Sequence, residues 1–343
     1  MPGDEPRDAK QARERAPWAW IWLKNAIGTA ILLGFGRYLW LRRHQLAEAL
    51  ELSWIDLTLL AVLTLGSWSA MASQNALLYR AAGIPLRYGE SWLITAATGF
   101  GNYLPMRLGT LIRAHYLQRV HGLSYVRFGS IVVVRGVLFA LATGACGMVA
   151  TFWVARGDGR FSAGLAAIFA AMILGSIGLS MLSPSGASRL PARLRRLVEE
   201  LSFGVAELRR SPRIALAVGA LVLVHYFLLG ARFLLASRAI GAGMPLSVLL
   251  LLATVGGVSG FVAITPGALG VREAVMGFAT LAVGAAFAPG IYVGSLDRAV
   301  LLGLTATVGL ASFLVIWRRL RRLGGERATP PGAPASAGPL TPS

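Results

Sequence analysis

Several stretches of this chain stay apolar for longer than the ~18 residues a helix needs to cross a bilayer, and no other feature narrows the fold as far. The bilayer core offers no water to a backbone N–H or C=O, so a spanning helix must satisfy its own hydrogen bonds. Spans are expected over about 18–40, 54–79, 125–154, 161–182, 214–236 and 290–317. The chain is 55% hydrophobic and only 14% charged, which leaves too little polar surface for a water-exposed fold of this length. The predicted class is therefore all-α, a polytopic transmembrane helix bundle. The span over 18–40 is too long for a signal-peptide core and lacks a small-residue cleavage end, so it reads as a retained helix. Residues 18–322 are expected to form one integral membrane domain. Residues 1–17 and 323–343 read as disordered tails, the second rich in Pro, Ala, Gly and Ser.

Two apolar stretches cannot be unbroken helices. In Gly256–Glu273, GGVSGFVAITPGALGVRE, three early glycines loosen the helix, Pro266 removes a backbone donor, and Arg272 and Glu273 follow Gly267 and Gly270. In the first half of the chain, an apolar run from 88 stops at GFGNYLP, 99–105, and turns into a basic helix carrying Arg107 and Arg113. Non-helical backbone at membrane depth is tolerated where it is buried in protein or lines a wet cavity.

The two stretches belong to a repeat. GIPL at 83–86 matches GMPL at 243–246, PMRLG at 105–109 matches PGALG at 266–270, and RGVLFAL at 135–141 matches RAVLLGL at 298–304. The matches keep their order, with offsets of 160, 161 and 163 residues. The units cover about 54–155 and 214–317 and are separated by the span at 161–182. Equivalent points lie an odd number of crossings apart if each broken segment is a hairpin that returns to its own side. The expectation is thus two inverted repeats with broken, re-entrant helix hairpins, an organisation common among transporters. The alternative is that duplication serves only to build a stable symmetric bundle.

The formal net charge of +18 does not point to nucleic acid, because the basic residues sit in short loops between spans. With the N-terminus inside, the inside loops hold 22 Lys/Arg and the outside ones six, which sets an N-in, C-in orientation. The insert at 183–213 carries Leu190, Leu194, Leu197, Val198, Leu201 and Leu208 on one helical face and Arg189, Arg193, Arg195 and Arg196 beside it. It reads as an interfacial amphipathic helix, or alternatively as a solvated loop helix. One cysteine, Cys146, and four scattered histidines leave no metal-ligand spacing, so no metal and no cofactor is expected. No nucleophile–base pair stands out, and the chain is not expected to be an enzyme. No nucleotide-binding loop is present, so ATP is not expected to drive it directly. Arginine outnumbers lysine 31 to 2, a composition that fits a GC-rich bacterial genome.

The second half-helices are expected to begin near Gly109 and Gly270. Their first N–H groups lack partners and carry partial positive charge, a ready site for an anion such as phosphate. Arg107, Arg113 and Arg272 lie beside these termini, and Arg135 and Arg298 lie deep in their spans. Asp297 and Glu273 are the acids that could neutralise them, with Glu90 at the mouth of the first hairpin. Internal salt bridging therefore competes with ligand binding at each arginine. Five arginines against Asp297 and Glu273 leave a cationic surplus, and in a lipid-immersed protein that points to a lipid phosphate headgroup.

GNYLPMRLGTLIRA, the Arg135 span and TPGALGVREAV resemble the membrane region of lysylphosphatidylglycerol synthases, a flippase-like family, over roughly residues 20–320. The resemblance implies a multi-pass protein of the bacterial cytoplasmic (inner) membrane that handles anionic, aminoacylated, glycosylated or polyprenyl-phosphate lipids. It implies site residues at Asn102, Pro105, Arg107, Gly109, Arg113, Arg135, Pro266, Gly267, Gly270, Arg272 and Glu273, to which Asp297 and Arg298 are added from the charge pattern. The family often has Gly-Glu where this chain has Gly109-Thr110, and an acid shortly after the arginine at 135, where this chain is apolar. Full synthases add a large soluble domain, whereas about 25 low-complexity residues follow the last span here, so aminoacylation by this chain is not expected. The expected function is lipid flippase-like transport. The alternative is a non-transporting partner that presents lipid to a separate glycosyltransferase or lipid-modifying enzyme.

Overall fold

The computed structural model of the chain describes residues 34, 37, 40–41, 53–104, 108–157, 160–181, 211–259 and 265–326. Most of the first expected span, the insert at 183–210, Pro105, Arg107 and both distal tails lie outside the described residues. Every regular element among the described residues is helical. The helices are α1 (Trp54–Ala81), α2 (Tyr88–Gly101), α3 (Leu108–His121), α4 (Tyr125–Arg156) and α5 (Ala163–Met181). After the insert come α6 (Pro212–Ala239), α7 (Leu246–Ser259), α8 (Val271–Ala282), α9 (Phe287–Leu304) and α10 (Leu310–Glu326). A 3₁₀ turn, Pro266–Ala268, precedes α8, and a π-helical turn, Thr305–Gly309, joins α9 to α10.

Local chemistry sets the ends. Ser53 caps α1 by accepting the Asp56 backbone N–H at 3.1 Å, while the Asp56 carboxylate accepts the Ser53 N–H at 3.2 Å. Pro212 opens α6 in the first turn, where its missing N–H is no loss. Ser124 caps α4 through the Arg127 N–H. Among the described residues, five helical stretches are long and apolar enough to span a membrane: α1, α4, α5, α6 and the stretch from Phe287 to Arg322. Their outer faces carry large apolar side chains, such as Leu174 and Met181 on α5 and Phe227 on α6, each about 70% exposed. Water would penalise that surface, and lipid does not. The chain is a multi-pass membrane protein.

The two sequence units fold into matching series. Helices α1, α2 and α3 have 28, 14 and 14 residues, and α6, α7 and α8 have 28, 14 and 12. The first members of each series, α1 and α6, pack on each other. Each short helix also crosses over: α2 packs on α10, and α7 packs on α4. One apolar core gathers around α4, α6, α7 and α8, with Phe233, Leu249, Leu252 and Met276 fully buried. The other gathers around α1, α2 and α3, with Tyr79, Leu86 and Leu117 at its centre.

Small residues set the closest helix contacts, as expected where dispersion rather than water drives association. The ring of Phe169 on α5 fills the space a side chain on Gly147 would occupy. Helices α2 and α3 touch backbone to backbone: a Cβ on Gly109 would lie 2.2 Å from the Thr98 carbonyl oxygen, and one on Gly101 would lie 2.4 Å from the Gly109 Cα.

Two expectations need correction. Gly256 and Gly257 do not loosen the helix, because α7 runs through both to Ser259. They are there for space: a Cβ on Gly256 would lie 3.1 Å from Arg272 Nε, and one on Gly257 would meet the Tyr226 hydroxyl at 2.4 Å. Residues 323–326, expected to belong to a tail, continue α10 to Glu326.

Gly109→Val is expected to destabilise the protein by about 1–3 kcal/mol, the usual cost of overpacking. Gly99→Ala, which meets nothing within 4 Å, should be close to neutral. Thermal unfolding of the detergent-purified variants checks both.

Candidate functional site

Helices α1, α6, α7, α8 and α9 and the Pro266–Ala268 turn enclose a cavity of about 230 Å³. Its polar lining comes from Arg232 and His225 on α6, Arg272 on α8, Arg298 on α9, and Ser67 and Ser259. Trp68, Met71, Leu229 and Leu301 supply apolar walls. The three arginines are each under 10% exposed.

Two fully buried acids stand behind them. Asp297 accepts both Arg232 and Arg272: Nη2 of Arg232 lies 2.5 Å from Oδ1, as an ion pair rather than an aligned hydrogen bond, and Nη2 of Arg272 donates to Oδ2 at 3.1 Å. Glu273 accepts Nε of Arg298 on Oε1 at 3.1 Å and the Gly270 N–H on Oε2 at 2.8 Å. In a low-dielectric interior an unpaired charge is strongly penalised, and the pairing offsets that cost. The three cations and two anions leave one positive charge over. The Nε groups of Arg232 and Arg272 are buried without a hydrogen-bond partner among the described residues. Arg272 also lies over the Phe233 ring, 5.5 Å from its centroid, which limits where its plane can turn.

The start of α8 is unusual backbone. Gly267, Ala268 and Gly270 all have positive φ, at 59°, 56° and 77°. Glycine adopts this freely, but Ala268 does so at about 1–2 kcal/mol. The turn brings the Glu273 carboxylate back onto the Gly270 N–H. The α8 N-terminus expected to meet an anionic ligand thus meets the chain's own carboxylate.

The two interrupted segments touch. A Cβ on Gly267 would sit 2.3 Å from Tyr103 Cε1, so the Tyr103 ring lies flush on that turn. The Tyr103 hydroxyl accepts Nη1 of Arg298 at 2.9 Å, linking the first break to the second unit's charge network.

The first unit's arginines lie apart from the cavity. Arg113 is buried and donates to the Tyr79 hydroxyl at 2.9 Å through Nε and to Asn75 Oδ1 at 3.0 Å. Its guanidinium also sits near the Tyr79 and Phe128 rings. Arg135 is half-buried, within electrostatic reach of Arg113 on one side and of His225 on the other. Neither has a carboxylate partner among the described residues. Gly109 serves the α2–α3 crossing. Asn102, at the end of α2, keeps its Oδ1 buried without a hydrogen-bond partner.

Of the expected site residues, the fold gathers Gly267, Arg272 and Arg298 at the cavity, with Gly270, Glu273 and Asp297 behind them. Three further residues come only from the structure: Arg232, Tyr103 and His225. Arg232 could have been found, since it is an arginine inside a span by the same criterion that singles out Arg135. Tyr103 lies within the GNYLP motif, but nothing in the sequence shows that its hydroxyl reaches across 195 residues.

A model of the family described as "Lysylphosphatidylglycerol synthase TM region" matches residues 21–309, which include every residue of the cavity and of its charge network. The chain belongs to that family, and so is a membrane protein related to lipid metabolism. No curated protein and no solved structure matches it.

Removing one acid should expose the dependence of the network on charge. Asp297→Asn leaves Arg232 and Arg272 facing each other and is expected to cost about 3–5 kcal/mol. Adding Arg232→Gln to that variant should restore part of the loss. Thermal midpoints of the single and double variants in detergent measure both effects, and equal midpoints for the two would refute the coupling.

Proposed function

We propose that this member of the family is a flippase-like transporter that takes the headgroup phosphate of an anionic or polyprenyl-phosphate lipid into the arginine-lined cavity. The observation that carries this reading is the pair of partnerless, buried Nε groups on Arg232 and Arg272 in a cavity with one uncompensated positive charge. A phosphate oxygen satisfies both needs at once, because guanidinium donates in a planar fork that matches it. At about 230 Å³ the cavity is below the ~300–1,000 Å³ usual for drug-sized ligands, so it suits a headgroup and not a whole lipid. The acyl tails would remain in the bilayer.

The matched helix series and their crossed packing support a reading of the two units as inverted repeats. In this reading the cavity lies where the repeats meet, and rocking of one unit against the other opens it to alternate leaflets. The contact of Tyr103 with Arg298 and Gly267 would be remade in that motion. Arg135 and Arg113 extend the cationic track beyond His225 into the first unit. The orientation is N-in and C-in, in a bacterial cytoplasmic membrane. The role is transport and not catalysis: Asp297 and Glu273 are committed to holding arginines.

Leaflet transfer of fluorescent phosphatidylglycerol and of an uncharged lipid in reconstituted vesicles tests the reading. The anionic lipid is expected to move faster than in protein-free vesicles. Arg272→Lys should slow that transfer roughly tenfold, about the 1.4 kcal/mol of one lost charge-assisted hydrogen bond. If no lipid class moves faster than in protein-free vesicles, the transport reading fails.

A further inference from the structure

A second, larger pocket of about 780 Å³ opens at the end of the molecule where α2 begins and α3 and α10 finish. Its charge is unbalanced. Arg87, Arg319 and Arg322 line it, and the single acid on its wall, Glu90, is already committed. Glu90 Oε1 accepts the Tyr116 hydroxyl at 2.8 Å and lies 2.9 Å from Nε2 of His121. Arg319 donates a long hydrogen bond of 3.4 Å to the Tyr116 hydroxyl, which fixes its guanidinium toward the pocket. Arg87 and Arg322 have no carboxylate partner among the described residues.

The backbone adds donors. Arg87 is the N-cap residue of α2, and no side chain caps that terminus. The first N–H groups of a helix have no intrahelical acceptor and carry partial positive charge. Gly89, in that first turn, lines the pocket. Anion binding at such a terminus is ordinary chemistry when arginines converge on it.

The pocket's depth in the membrane is marked by its neighbours. Arg321 lies over the Trp317 ring, 5.4 Å from the centroid, and Trp317 stacks on Phe313. Tryptophan beside a run of arginines at a helix end marks the headgroup level of a bilayer. Basic pockets between helices at that level take phosphate-bearing headgroups. A volume within the ~300–1,000 Å³ range of ligand pockets admits a whole phosphorylated headgroup.

We infer that this rim pocket is a second anion site, separate from the central cavity, that binds a phosphate group through Arg87, Arg319, Arg322 and the uncapped start of α2. It stands whether or not the central cavity transports lipid.

The test titrates two probes into the full chain in a neutral detergent and counts bound copies by native mass spectrometry. One probe is dioctanoyl phosphatidic acid and the other is inorganic pyrophosphate. The Arg87→Gln/Arg322→Gln variant is expected to lose one bound copy and to bind that copy at least ~10-fold more weakly, as loss of charge-assisted contacts requires. The Arg272→Gln variant should keep the rim copy. Both rim arginines are exposed, so their replacement leaves the fold intact, and Arg322→Glu should give a larger loss in the same direction. Binding of the lipid probe alone assigns the site to a lipid headgroup. Comparable binding of pyrophosphate assigns it to a free phosphate compound. The inference is overturned if wild-type chain binds neither probe, or if the rim variants bind both as wild type does.

Discussion

Asp297 is the point on which the centre of this membrane domain depends. It is fully buried, and it holds two arginines from different helices, Arg232 on α6 and Arg272 on α8. Pairing the carboxylate with two guanidinium groups offsets the cost of burying all three charges. Glu273, on α8, makes a second such link by joining Arg298 on α9 to the start of α8. Three helices are thus positioned by two carboxylates, and the positive-φ turn through Ala268 leads into the same contacts.

That arrangement needs room, and glycine provides it. Gly256 leaves space for the Arg272 guanidinium, Gly257 for the Tyr226 hydroxyl, and Gly267 for the ring of Tyr103. These three positions explain why a glycine-rich stretch lies in a very apolar part of the chain. The glycines are spacers for polar side chains and aromatic rings that pack against the backbone. The same reasoning separates the two arginine groups. Those around Asp297 are paired with acids that leave one positive charge over, whereas Arg113 is satisfied by a phenol, an amide and two aromatic rings.

Much of the fold was legible along the chain. The spans at 54–79, 125–154, 161–182 and 214–236 appear as α1, α4, α5 and α6 within a few residues, because twenty apolar residues in a row have one low-energy form in a bilayer. Helices α3 and α8 begin at Leu108 and Val271, beside Gly109 and Gly270. The candidate site was legible only in part. Arg272, Arg298, Asp297 and Glu273 stand out as charges in apolar surroundings, but their pairing does not follow from spacing alone. Asp297 and Arg298 are adjacent in sequence and serve different partners, on α8 and α6 for the acid and on α8 for the arginine.

By itself, then, the sequence determined the helical class, the membrane setting and the excess of arginine, since each depends on local composition. The tertiary structure decided which charges are spent and which are available. It turned Glu273 onto its own helix start, added Arg232 to the network, and set Tyr103 against a turn from the other unit. Each of these is a contact between residues far apart in the chain or a rotamer chosen by packing, and neither leaves a mark on sequence periodicity.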